Sequence, residues 1–82
     1  MKTVFYFTAD WCGPCKKTRP LVEELNGDGL AKFQIIDSDD NMELCKKFEV
    51  KSIPTFILIE DNKEVKRLTG AQTKKSLMEF VE

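Results

Sequence analysis

The sequence contains no histidine, one tryptophan, one tyrosine, three prolines and four glycines in 82 residues. Without histidine there is no Ser-His or Cys-His dyad and no imidazole to hold a metal. Neither sign of charge predominates, with 13 Lys and Arg against 14 Asp and Glu for a net charge of −1. A nucleic-acid binder working by bulk attraction carries a basic excess, and a disordered acidic tail carries the opposite one. Long hydrophobic runs are missing too. Val4-Phe5-Tyr6-Phe7 is soon followed by Asp10, whereas a signal peptide needs roughly 7–15 apolar residues and a membrane helix roughly 20. There is no repeat, low-complexity tract or Pro/Gly/Ser linker. The expectation is a single domain over 1–82, a cytoplasmic monomer that binds neither nucleic acid nor membrane. The three cysteines are an odd number. That count does not suit a disulfide-stapled secreted scaffold; a reactive pair in a reducing compartment fits better.

What is present reads as an α/β chain. The β-branched and aromatic run Thr3–Thr8 predicts a short buried strand. Thr18, Leu21, Val22 and Leu25 form the inward stripe of an amphipathic helix over 15–25. Asn26-Gly27-Asp28-Gly29 is expected to stop it. Phe33, Ile35 and Ile36 predict a second strand ending near Asp37. Asp39 or Asp40 is expected to cap a short helix that carries Leu44, Cys45 and Phe48 inward. The run Thr55–Ile59 predicts a strand buried on both faces. A turn at Glu60–Lys63, with Asn62 suited to positive φ, returns an antiparallel strand over 64–68. Thr73 starts a last helix over 73–81. The order β-α-β-α-β-β-α predicts a four-stranded mixed sheet with helices on its faces.

Trp11-Cys12-Gly13-Pro14-Cys15 lies where the first strand gives way to the first helix. Two cysteines at this spacing close a disulfide across one helical turn. Cys12 falls at the helix N-terminus, where unpaired N–H groups and the helix dipole favour a thiolate. Lys16, Lys17 and Arg19 add positive charge. Gly13 allows another backbone to approach, and Pro14 suits a first turn. Cys15 lies on the inward stripe, where burial holds a thiol's proton more tightly. This asymmetry predicts Cys12 as the attacking thiol and Cys15 as the resolving one, in dithiol–disulfide exchange that needs no metal or organic cofactor. Two blander readings compete. Half a zinc site lacks ligands, since only Cys12, Cys15 and Cys45 are on offer. A purely structural disulfide is at odds with a reducing compartment.

The pentapeptide WCGPC, after a strand and opening a helix, resembles thioredoxins. Lys16 and Pro20 match the helix of that family, Ser52-Ile53-Pro54-Thr55 its cis-proline loop, and Gly70 a glycine lining its substrate groove. The resemblance implies the thioredoxin fold and a cis bond before Pro54. It also implies a docking surface of Trp11, Gly13, Pro14, Ile53, Pro54, Gly70 and Ala71, in which the Ile53 backbone pairs with an extended client segment. It further implies protein-disulfide reductase activity, recharging by an NADPH-dependent thioredoxin reductase, and clients such as ribonucleotide reductase. Trp11 would act as a lid beside the disulfide.

The chain departs from the family in three places. It starts at the strand leading into the motif, without the usual first strand and helix. Tyr6 stands where thioredoxins keep a buried Asp that helps deprotonate the resolving thiol; solvent, Asp10 or the Tyr6 hydroxyl is left to do that work. Lys63 replaces a hairpin glycine. The alternatives are a glutathione-recharged, glutaredoxin-like reductase, favoured by the short chain, and a thioredoxin-like binding or assembly subunit whose thiols are incidental. Cys45 is expected to be a small core or boundary residue, with a regulatory thiol as the alternative. Lys46-Lys47 and Lys74-Lys75 read as solvated faces.

Overall fold

The computed structural model describes residues 2–29 and 31–82. Its elements are β1 (Thr3–Thr8), α1 (Gly13–Asp28), β2 (Lys32–Asp37), α2 (Met42–Lys47), β3 (Thr55–Glu60), β4 (Lys63–Thr69) and α3 (Lys74–Phe80). The sheet order is β2-β1-β3-β4. β1 runs parallel to β2, and both the β1–β3 and β3–β4 pairs are antiparallel. This is the thioredoxin fold with four strands and three helices, as expected.

Alternation along the central strands divides the core between two faces. Val4 and Tyr6 of β1, with Phe56 and Leu58 of β3, pack against Val22 and Leu25 of α1 and Leu77 and Phe80 of α3. Phe7 and Ile57 point the other way, against Leu44, Phe48 and Val50 in and after α2. β3 is buried from Thr55 through Leu58 because it contributes to both faces.

α1 is longer than the apolar stripe predicts. It continues through Pro20 and ends at Gly29, whose φ of 74° is the left-handed cap that glycine tolerates. The stop falls within Asn26–Gly29 as expected, at the glycine end, while Asn26 itself is still helical. Its side chain donates to the Phe33 carbonyl and accepts from the Phe33 N–H, both at 3.1 Å, and so ties the helix to β2. The cap of α2 also differs. Asn41 holds the cap position without a side-chain bond, because its amide donates instead to the Asp37 carbonyl. Neither Asp39 nor Asp40 caps the helix. Leu44, Cys45 and Phe48 are half-buried rather than fully inside. At the hairpin both Asp61 and Asn62 have positive φ, 53° and 64°, the requirement of a two-residue type I′ turn. That placement leaves Lys63 free to begin β4 in place of the family's glycine. Thr73 caps α3 in a reciprocal capping box with Ser76.

Candidate active site

β1 delivers the chain to the surface at Asp10 and Trp11, and α1 begins at once. Cys12 is the helix N-cap: its extended backbone (φ −81°, ψ 111°) leaves its side chain facing the first free N–H groups. The Cys12 sulfur accepts from the Cys15 N–H at 3.2 Å. Cys12 and Cys15 are joined as a disulfide with their Cα atoms 5.3 Å apart. Pro14 sits in the first turn, where no N–H is needed.

Exposure does not separate the two cysteines in this oxidised form, since Cys12 is 4% and Cys15 2% exposed. The expected contrast of an open and a closed thiol is replaced by one of bonding and surroundings. Cys12 caps the helix and is flanked by exposed Trp11, Gly13 and Pro14, with nothing within 4 Å of a Cβ built on Gly13. Cys15 points inward with Thr18 and Val22.

The loop before β3 meets this pair. Ile53 packs against Ala9, Cys12 and Cys15, and the Ile53–Pro54 peptide is cis. The Pro54 carbonyl accepts from the Gly70 N–H at 2.8 Å. Gly70, at φ 94°, adopts a conformation that side chains rarely allow. Ile53 is thereby brought to the dithiol, and the Pro54 that follows it is tied to Gly70 from much further along the chain. Ala71 is exposed and is placed only by its neighbour Gly70.

Trp11 is 69% exposed, so it flanks the disulfide rather than sealing it. Its indole N–H donates to an Asp39 carboxylate oxygen at 3.0 Å. Asp39 is the site residue that sequence reasoning missed: the middle one of three closely spaced acids carries no signal of a partner 28 positions away. Trp11, Asp39, Met42, Cys45 and Ile53 border a groove of about 480 Å³. Cys45 is half-buried, in keeping with a boundary residue. Burial pushes its thiol pKa up, and the nearby Asp39 charge adds to that.

Tyr6 is fully buried and stacks on Phe56 with ring centroids 4.8 Å apart. Its hydroxyl donates to the Cys15 carbonyl at 3.3 Å. Burial raises its pKa from 10.0, against the pull of a Thr8 hydrogen bond and the Arg19 charge. A phenol held neutral has no capacity to accept a proton near neutral pH, so it is no substitute for the family's carboxylate. Among the described residues, no group of three or more Cys, Asp or Glu side chains is placed to hold a metal ion, and no helix is long and apolar enough to cross a membrane.

The thioredoxin family's sequence model matches residues 1–82. The chain is 46% identical over 78 residues to the thioredoxin of Staphylococcus saprophyticus, covering 93% of this chain and 75% of that one. Among solved structures, a mutant thioredoxin from Halobacterium salinarum superimposes with a TM-score of 0.92 at 34% identity, covering 98% of this chain and 71% of that one. Fasciola hepatica thioredoxin gives 0.90 at 40% identity, covering 98% and 77%. On sequence and architecture together, the chain belongs to the thioredoxin family, as a thioredoxin-type oxidoreductase.

Proposed function

We propose that the chain reduces disulfide bonds in client proteins, with Cys12 as the attacking thiol and Cys15 as the resolving one. The observation that supports these roles is the cap: the Cys12 sulfur sits at the start of a 16-residue helix and accepts the Cys15 N–H. In the dithiol form the same donor and the helix dipole favour a thiolate at Cys12.

The exchange proceeds in two steps. The Cys12 thiolate attacks one sulfur of the client disulfide. The client S–S bond breaks, a mixed disulfide forms, and the released client thiolate takes a proton from solvent. Cys15 then loses its proton and attacks the Cys12 sulfur. The mixed disulfide breaks, the second client thiol leaves, and Cys12–Cys15 closes. Two electrons pass from the dithiol to the client, and no other cofactor enters. Ile53, beside the pair and ahead of the cis bond, presents backbone for strand-like pairing with the client. Trp11, Gly13, Pro14, Pro54, Gly70 and Ala71 complete the docking surface. An NADPH-dependent thioredoxin reductase restores the dithiol, and ribonucleotide reductase is one client class. In this reading residues 1–82 act as a single domain, monomeric and cytoplasmic.

The test is reduction of a model protein disulfide in two arms, one with thioredoxin reductase and NADPH, the other with glutathione and its reductase. Turnover in the first arm alone is expected; turnover in the second alone would make the chain glutaredoxin-like. Cys12→Ser is expected to abolish reduction. Cys15→Ser is expected to accumulate covalent client adducts on non-reducing gels. Full biological function in a chain with both cysteines replaced by serine would identify a binding subunit instead.

A further inference from the structure

The second exchange step requires Cys15 to lose a proton. On its inner side the Tyr6 hydroxyl is already donated to the Cys15 carbonyl. Tyr6 packs among Val4, Phe56 and other apolar side chains, and the buried polar or charged residues among the described ones are Thr8, Thr18 and Thr55. The inner face therefore offers no base. On its outer side Cys15 forms part of the wall of a cleft of about 180 Å³, bounded by Thr8, Asp10, Lys16 and Arg19. That volume admits several waters.

Of the cations there, Arg19 is best placed to act on Cys15. It lies four residues on along α1, so the two side chains share one face, whereas Lys16 is turned about 100° away. Arg19's only ion pair among the described residues is a loose 3.7 Å contact with Glu23, with both side chains largely exposed. Its charge also reaches the Tyr6 hydroxyl beneath Cys15.

We propose that this cleft is the proton exit of the resolving step, with Arg19 stabilising the Cys15 thiolate as it forms. Water in the cleft takes the proton from the Cys15 thiol. The thiolate left behind faces the Arg19 guanidinium until it attacks the Cys12 sulfur and expels the client thiolate, which is protonated from solvent. Arg19 touches no reacting atom and is a charge-stabilising residue, not a catalytic one. The assignment rests on the disulfide-exchange reading of the site.

The test reads the Cys15 thiol directly. In a reduced Cys12→Ser, Cys45→Ser chain labelled with ¹³Cβ-cysteine, one thiol remains, and its titration is followed by NMR. The groups facing it are Tyr6 from β1, Asp10 from the loop, and Lys16 and Arg19 from α1. Arg19→Gln is expected to move the midpoint up by about half a pH unit, a roughly threefold loss of thiolate near neutral pH. Arg19→Glu is expected to move it about twice as far, and Arg19→Lys to restore it. The differences should collapse in 1 M salt, where the screening length is about 3 Å. In the chain with native Cys12 and Cys15, rapid acid quench should find the mixed disulfide of Arg19→Glu longer-lived, its rate of decay falling by a larger factor than its rate of formation.

An unmoved midpoint in Arg19→Glu overturns the proposal, whether or not the chain reduces disulfides, because the titration does not depend on turnover. A Tyr6→Phe midpoint displaced as far as that of Arg19→Glu also overturns it, by assigning the proton to the inner face. Failure of the reduction assay with the Arg19 displacement intact would instead overturn the reading of function on which the proposal rests.

Discussion

Tyr6 governs how this site differs from the family pattern. A carboxyl at its position would stand between Phe56 and the apolar face of α1, where burial disfavours its charge. The phenol instead stacks on Phe56 and ties β1 to the first turn of α1 through the Cys15 carbonyl. Its raised pKa makes an alkaline prediction. The folded chain holds the Tyr6 proton more tightly than the unfolded chain does. The interaction is therefore fully present below the unfolded value near 10 and is lost as pH rises beyond it. Tyr6→Phe is expected to cost about 1 kcal/mol at pH 7, the net worth of one hydrogen bond. Because the variant has no phenol to ionise, its deficit should shrink above pH 10. Urea unfolding of both chains at pH 7 and pH 10.5 checks both statements, and a deficit that grows with pH would refute the second. Tyr6→Asp, which restores the family's acid without its surroundings, should cost more than Tyr6→Phe at pH 7.

At the scale of elements, the sequence was most legible where the physics is local. The 3.6-residue stripe of α1, the apolar run of β3 and the cap of α3 each rest on neighbours a few positions apart, and each was found. Two departures share a cause: a side chain with a strong local preference is taken up by a more distant partner. Asn26 heads the stretch that stops α1, but the stop itself is Gly29, and the Asn26 amide grips Phe33. Asp39 looks like a cap but holds Trp11. The CxxC was legible as a redox pair because the strand–helix junction can be read from sequence. The joining of Gly70 to Pro54 was reachable only through the family resemblance. Arg67 makes another such distant tie, invisible in the sequence of β4. Its guanidinium donates to both Glu64 carboxylate oxygens and to the Phe48 carbonyl, each at 2.6 Å. It thereby fastens the end of α2 to the edge of the sheet. The hydrogen bond from Arg67 holds the Glu64 carboxyl below its ordinary 4.5, with some opposition from burial. A depressed acid contributes stability above the unfolded value and loses it as pH falls through the folded one. Arg67→Ala is expected to cost about 1 kcal/mol at neutral pH. That cost should diminish as pH falls from 4.5 through the lowered folded value, as Glu64 becomes neutral in the parent as well. Urea midpoints of parent and variant at pH 7 and pH 3.5 measure the narrowing, and a constant gap would assign the effect to the Phe48 contact alone.

Taken whole, the molecule hangs two apolar clusters on one sheet, and β3 serves both: Phe56 and Leu58 face α1 and α3, while Ile57 faces the α2 side. A break in β3 therefore cannot be confined to one face. This argues for one cooperative unit, with an expected stability of roughly 5–15 kcal/mol. Phe56→Ala deletes a fully buried ring and its stack with Tyr6, at an expected cost of about 3–5 kcal/mol. Ile57→Ala, on the opposite face, should cost about 2–5 kcal/mol. Val65→Ala on the exposed edge strand, where Val65 is 51% exposed, should stay within about 0.5 kcal/mol of the parent. If the two faces form one unit, urea transitions followed by far-ultraviolet circular dichroism and by Trp11 fluorescence in the reduced chain will coincide in the parent and in all three variants. Fluorescence reports from the dithiol end and dichroism from the whole chain. Separation of the two curves in Ile57→Ala but not in Phe56→Ala would mean that the α2 face opens independently, loosening the groove beside Trp11 while the dithiol helix stays packed on the other face.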